Sequence, residues 1–152
     1  MLKGLILATH WGDVSLVGGT RAGEGTLVLL PQFKVALDAG RAHRGLTPMS
    51  TVCVSHGHAD HVGGLAYWAS QRHLNSLAPG TVLAPSPISD EIEDLLGLHS
   101  RLEGGKDYEV RVIPVQSGTR VPMVLNVSTR TVSGPLDIRC DHSDIYFVLN
   151  AG

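Results

Sequence analysis

The stretch VSHGHADHVGGL, residues 54–65, places three of the chain's eight histidines and an aspartate between His56 and His61. Gly63 and Gly64 follow, and then an apolar run with helical spacing. The segment just before, TVCVS (51–55), is short and β-branched, so it reads as a strand. The histidines therefore belong to a loop between a strand's exit and a helix. In an open sheet that position is where ligands find a crevice.

The residue types and spacing suit metal binding. His56 and His58 are two apart, so a locally extended loop can aim both imidazoles one way. Asp60 and His61 follow at the helix entrance and can turn toward a second point nearby. Two pairs of ligands result, enough to begin two adjacent metal sites. Imidazole and carboxylate donors suit zinc, with manganese or iron as other occupants. Gly63 and Gly64 allow backbone to pass close to the site.

Outward from this loop, short apolar runs punctuated by glycine and proline read as strands: TLVLL (26–30), FKVAL (33–37), TVLA (81–84) and YEVRVIPV (108–115). The first two are separated by Pro31 and Gln32 and form a hairpin. Two segments read as helices. Over 62–77, Val62, Leu65, Ala66, Ala69, His73 and Leu77 share a face, and over 88–102 so do Ile88, Ile92, Leu95, Leu96, His99 and Leu102. The second has acids early (Asp90, Glu91) and Arg101 late, matching the helix dipole, and Gly104 and Gly105 end it. Alternation of strand and helix implies an α/β fold with a mixed sheet.

At 152 residues the length fits one domain, 1–152, or a piece of a larger one. The formal charge of −2 argues against a general polyanion coat, though a local basic patch can still dock a phosphate. Two cysteines without C-x-x-C spacing read as reduced thiols, with Cys53 packed in its apolar run. The amino-terminal run is short and no later run is long enough to span a membrane, so the expectation is an intracellular, cytoplasmic protein, with an organelle as the alternative.

SHGHADH resembles the signature of the metallo-β-lactamase superfamily, and ALDAG resembles the strand-end segment that precedes it there. VGGTRAGEGTLVLL, HADHVGGLAYWASQR and EIEDLLGLHSRLEGG are similar to the ribonuclease Z branch, the tRNA 3′-processing endonucleases, over roughly residues 14 to 121. The resemblance implies an αββα sandwich, of which this chain holds the N-terminal half. It implies that His56 and His58 bind a first zinc and Asp60 and His61 a second, two zincs per complete site. Asp60 also serves as the base toward the attacking water. Asp38 is implied to orient the histidine loop rather than to bind metal. The implied function is hydrolysis of phosphodiesters in tRNA precursors, with RNA as the partner. Another metallo-hydrolase, acting on a small ester, lactone or thioester, is the alternative, as is a catalytically incomplete remnant.

The pattern is not complete. A full site needs a later histidine, a bridging aspartate and a final histidine. Beyond residue 122 the chain departs from the family: 123–152 contains MVLNV (123–127) and IYFVL (145–149), which read as strands, and a single later histidine, His142. Asp141 and Asp144 read as turn residues. No long Gly/Pro-rich arm of the kind many ribonuclease Z enzymes use on tRNA is visible. An apolar strand IYFVL without neighbours would favour self-association, so a homodimer is expected. His73 and His99 read as packed on helix faces, Tyr67 and Trp68 as helix packing, and Arg41, His43 and Arg44 as a solvated loop within reach of a substrate phosphate.

Overall fold

A computed structural model describes residues 3–9, 12–127, 130–141 and 144–149. His142 lies outside the described residues. In chain order the strands are β1 (Lys3–Thr9), β2 (Gly12–Arg21), β3 (Gly25–Leu30), β4 (Val35–Leu37), β5 (Thr51–Cys53), β6 (Gly80–Pro85), β7 (Val110–Val115), β8 (Arg120–Val127), β9 (Arg130–Asp141) and β10 (Asp144–Leu149). The helices are α1 (Ala59–Val62), α2 (Leu65–Leu74) and α3 (Ser89–Leu102).

Strands β1 to β7 form one sheet in sequence order. β1 to β4 pair antiparallel and β4 to β7 pair parallel. Each parallel pair needs a crossover, which α2 supplies between β5 and β6 and α3 between β6 and β7. The α/β reading and the mixed sheet are therefore observed. A second sheet, order β10-β9-β8, is antiparallel throughout.

Alternation along each central strand builds two cores. Leu27, Leu29, Ala36, Val52, Val82, Ala84 and Val112 face the layer that holds Leu65, Trp68, Ala69, Ile92 and Leu96. Their neighbours Leu30, Val35, Cys53, Leu83 and Val115 point the other way, into a layer against which Val121 of β8 packs. Cys53 is fully buried, as its apolar run implied, and burial, reinforced by Asp38, pushes its thiol pKa well up.

The helices follow the expected pattern with instructive differences. The pair Gly63–Gly64 splits the first into α1 and α2, and α2 stops at Leu74. His73 is exposed and Leu77 lies past the helix end, so the apolar face is completed instead by Trp68 and the buried Arg72. Trp68 Nε1 donates to the Met49 carbonyl at 2.9 Å. Arg72 donates to the carbonyls of Thr47, Met49 and Ala78 and stacks 5.6 Å from the Trp68 ring. A buried guanidinium that caps three carbonyls ties α2 to the segment leading into β5, and so fixes the strand whose exit carries the histidines. α3 ends as expected, with Gly104 and Gly105 at φ 88° and 76°.

The predicted hairpin of β3 and β4 is antiparallel, with a 3-10 turn at Pro31–Phe33 delaying the second strand to Val35. The expected strands within 123–127 and 145–149 belong to β8 and β10. Asp141 and Asp144 oppose each other where β9 and β10 meet. β1, β2 and β9 were not anticipated as strands.

Candidate metal centre

β4 and β5 are parallel neighbours, so their carboxyl ends open on the same side of the sheet. Asp38 follows β4 directly, in the left-handed region at φ 56°, which aspartate tolerates better than most residues. Its N–H donates to the Cys53 carbonyl at 2.8 Å, which locks the two strand ends together. The Asp38 carboxylate is buried and accepts from the Ser55 N–H at 2.8 Å, from Ser55 Oγ at 2.8 Å and from His61 Nδ1 at 2.8 Å.

The histidine loop then turns into α1. His58 has extended backbone and stands at the helix N-cap. Its carbonyl accepts from the His61 N–H at 2.8 Å and the Val62 N–H at 3.1 Å, which swings Asp60 and His61 into the first turn. The strand-end segment is stitched to this turn: the Ala39 N–H donates to the His61 carbonyl at 2.8 Å, and the Gly64 N–H to the Ala39 carbonyl at 2.6 Å. A Cβ on Gly40 would lie 1.7 Å from the Asp60 carbonyl oxygen, and one on Gly64 2.6 Å from Arg41 backbone. Only glycine permits this approach, which bears out the reading of Gly64.

The side chains gather. The His56 and His61 rings have centroids 3.9 Å apart, and those of His56 and His58 are 4.6 Å apart. His56 Nε2 lies 3.1 Å from His58 Nδ1. Two ligands about 2.05 Å from one tetrahedral zinc stand about 3.3 Å apart, so this pair has the spacing of a shared ion. His56 Nδ1 sits 3.0 Å from Ser55 Oγ. Burial lowers the His56 pKa, helped by His61 and His58, and so favours the neutral imidazole that binds metal. Asp60 Oδ2 lies 3.8 Å from His61 Nε2 and accepts from the Gly23 N–H at 2.9 Å. That backbone donor is the main reason the Asp60 pKa is lowered, keeping it a carboxylate.

The donor set thus fits metal as two pairs, His56 with His58 and Asp60 with His61. Among the described residues no group of three or more histidine, cysteine, aspartate or glutamate side chains surrounds a common point.

A metallo-beta-lactamase superfamily model matches residues 18–119, a span that includes the whole of this loop. The chain belongs to that superfamily. The match ends just before β8, close to where the resemblance read from the sequence also runs out. The superfamily relatives include a chloroplastic tRNase Z of Arabidopsis thaliana, 31% identical over 116 residues, covering 76% of this chain and 31% of that protein. Another tRNase Z of the same plant is 30% identical over 84 residues, covering 55% of this chain and 30% of that protein. A nuclear ribonuclease Z of Triticum aestivum is 29% identical across 59% of this chain and 57% of that protein. The chain thus spans under a third of the length of the two Arabidopsis relatives. The similarity runs to the ribonuclease Z branch of the superfamily.

Two members of the site escaped the sequence reading. Ser55 joins Asp38 to His56, and its only signal was its place between a strand and the first histidine. Gly23, at the β2–β3 turn with φ 72°, reaches Asp60 from 37 residues away, and no local pattern announces it. Of the basic loop, His43 uses its Nδ1 to accept from the Gly45 N–H at 3.0 Å, and Arg41 donates to the Gly25 carbonyl at 2.6 Å. Both are structural here, while Arg44 is exposed.

Proposed function

We propose that this chain carries one half of a dinuclear zinc hydrolase site of the ribonuclease Z type, acting on phosphodiesters at the 3′ ends of tRNA precursors. The single observation that carries the reading is the pairing of His56 with His58 and of Asp60 with His61 on one strand-exit loop, braced by the buried Asp38. His56 and His58 would hold one metal, and Asp60 and His61 the other, with manganese or iron able to replace zinc. Such metals, when bound, lower the pKa of water and offset charge on the phosphodiester. The chain's own residues do the rest. Asp38 holds His61 with Nε2 directed at the site. Ser55 does the same for His56. Asp60, kept ionised by Gly23, takes a proton from the attacking water.

The relatives are tRNA-processing ribonucleases by name, which supports RNA as the substrate class, and the chloroplastic one supports an organelle as readily as the cytoplasm. Among the described residues no helix is long and apolar enough to cross a membrane. Among the described residues the ligands form pairs rather than a closed shell, and such pairs by themselves are expected to be weak catalysts.

The test is single-turnover cleavage of a precursor tRNA with added zinc or manganese. Asp60→Ala should lower the rate at least about a hundredfold. A near-normal rate for Asp60→Ala removes it from the mechanism. Hydrolysis of a lactone or thioester without action on RNA supports the small-substrate reading instead.

A further inference from the structure

Asp60 is fixed twice, through its backbone and through its carboxylate. A Cβ on Gly40 would lie 1.7 Å from the Asp60 carbonyl oxygen, so residue 40 packs directly on that backbone. The carboxylate accepts from the Gly23 N–H at 2.9 Å. Gly23 belongs to the turn between β2 and β3, where residues 21–24 are exposed and Gly25 is buried. An exposed turn needs a fastening if one of its N–H groups is to stay on a distant side chain.

Two contacts lie within the hairpin itself. Arg21 Nε pairs with Glu24 Oε1 at 3.1 Å, with side chains 75% and 57% exposed, and the Thr20 and Thr26 hydroxyls lie 2.7 Å apart. Exposed contacts of this kind are weak, and they shape the turn without tying it to the histidine loop. The tie comes from the segment after β4. The Gly40 N–H donates to the Thr26 carbonyl at 2.8 Å, and Arg41 Nη2 to the Gly25 carbonyl at 2.6 Å. A Cβ on Gly25 would lie 2.9 Å from Arg41 Nε and 3.3 Å from Arg41 Cβ, so glycine is what lets this side chain lie along the turn. Arg41 Nε is buried without a hydrogen-bond partner among the described residues, so packing rather than water holds the arm there. On the other side, Arg41 backbone lies 2.6 Å from the missing Cβ of Gly64, where α1 gives way to α2. One residue thus bridges the helix that carries Asp60 and the turn that grips it.

We propose that Arg41 is a positioning residue for Asp60, holding the Gly23 N–H on the carboxylate through its bond to the Gly25 carbonyl. The proposal rests on the reading of Asp60 as metal ligand and base, and adds a residue that acts on it from a distance. The contacts close a circuit: Asp60 to Gly23, along the turn to Gly25, to Arg41, to Gly64, and back through α1 to Asp60. A carboxylate that must meet both a metal and a water's proton works only within a narrow range of positions, and such a circuit supplies that restraint before either arrives. The competing use of the same guanidinium, as a direct contact to a substrate phosphate, makes different predictions.

Solvent exchange of amide protons in the metal-free chain, measured by NMR, reads the contact directly. Arg41→Met keeps an aliphatic stem against Gly25 and removes the donors. The Gly23 N–H should then exchange at least about tenfold faster than in the parent chain, while the amide of buried Leu96 in α3 keeps its rate. Glu24→Ala, which breaks only the exposed pair, should leave Gly23 within about twofold of the parent. If Arg41→Met does not fold, Arg41→Gln, whose amide is too short to reach Gly25, gives the same test. In single-turnover cleavage of precursor tRNA with added zinc, Arg41→Met should lower the rate at saturating RNA at least about tenfold and leave the half-saturating RNA concentration nearly unchanged. Gly23 exchange that Arg41→Met leaves unmoved overturns the proposal, and so does an equal gain from Glu24→Ala. Weaker RNA saturation with a flatter salt dependence and an unmoved Gly23 overturns it in favour of a phosphate contact. The exchange measurement needs neither metal nor RNA. Failure of every form to cleave tRNA, the parent included, therefore counts against the ribonuclease reading, and the Gly23 result still decides the role of Arg41.

Discussion

His61 and His58 stand three residues apart on one loop and are held in opposite ways. His61 is half-buried and bonded directly to the Asp38 carboxylate, itself anchored by two donors from Ser55. His58 is exposed, and among the described residues its ring is hydrogen-bonded to His56, whose own support is the Ser55 hydroxyl. Orientation thus decays along the chain of contacts from Asp38 to His61, then through Ser55 to His56, and last to His58. A carboxylate at a strand end can fix a loop before any ion arrives, because strand pairing has already fixed the carboxylate.

The largest effect should come from breaking the anchored side. Asp38→Ala strips the acceptor from three donors and puts alanine at φ 56°, so urea unfolding should show a loss of about 3 kcal/mol. Asp38→Asn keeps the shape and the tolerance of the left-handed backbone. It should retain most of the stability yet weaken zinc binding about tenfold or more, as measured by calorimetry. If Asp38→Asn binds zinc like the parent chain, the two sides are not distinguished by this carboxylate.

Ser55→Ala sharpens the comparison. It leaves Asp38 bonded to His61 and to the residue-55 N–H but removes the link to His56. The expected loss is about 1 kcal/mol of stability, with a smaller fall in zinc affinity than Asp38→Asn produces. An effect larger than that of Asp38→Ala would place the anchor at Ser55.

His58→Ala should change stability by no more than about 0.5 kcal/mol, because the side chain is exposed and, among the described residues, bonded to another histidine ring, that of His56. Zinc retained after dialysis should nonetheless fall. Equal zinc content in the two proteins takes His58 out of the site.

The smallest effect is a control at the other end of the parallel strands. Burial, with help from Glu103, pushes the Tyr108 pKa up to about 12. A tyrosine whose folded pKa is raised favours folding while it is protonated, so stability should decline as pH rises from about 10 toward 12. Tyr108→Phe should remove that slope and leave zinc binding at neutral pH unchanged.

Much of this arrangement is legible in the residues themselves. The histidine motif declares its own loop because strand, ligands and helix follow one another without interruption. Asp38 could be assigned an orienting role through resemblance, and Asp38 does bond His61. Gly64 was read as a close-contact glycine, and backbone lies within 3 Å of its missing Cβ. What stayed hidden depends on partners far along the chain. The hold of Gly23 on Asp60 exists only because the β2–β3 turn folds over the loop. Arg72 was given no role from the sequence, because the Thr47 and Met49 carbonyls it caps lie 25 and 23 residues before it. His73 sits at an apolar-face position by periodicity, but the helix ends one residue later, and the side chain is left exposed. β9 was passed over because Gly134 and Pro135 interrupt its pattern, and pairing on both sides with β8 and β10 overrides that local signal.

The most direct measurement is the long-range proton–nitrogen NMR spectrum of the histidine rings, recorded without metal and then through a zinc titration. Asp38 can only accept, so His61 should hold its proton on Nδ1 before any zinc is added. On titration His61 Nε2 should shift while Nδ1–H is retained, and the His56 and His58 rings should sharpen together. A His61 protonated on Nε2 in the metal-free chain, or rings that zinc leaves unshifted, would contradict a strand-end carboxylate that prepares this loop for metal.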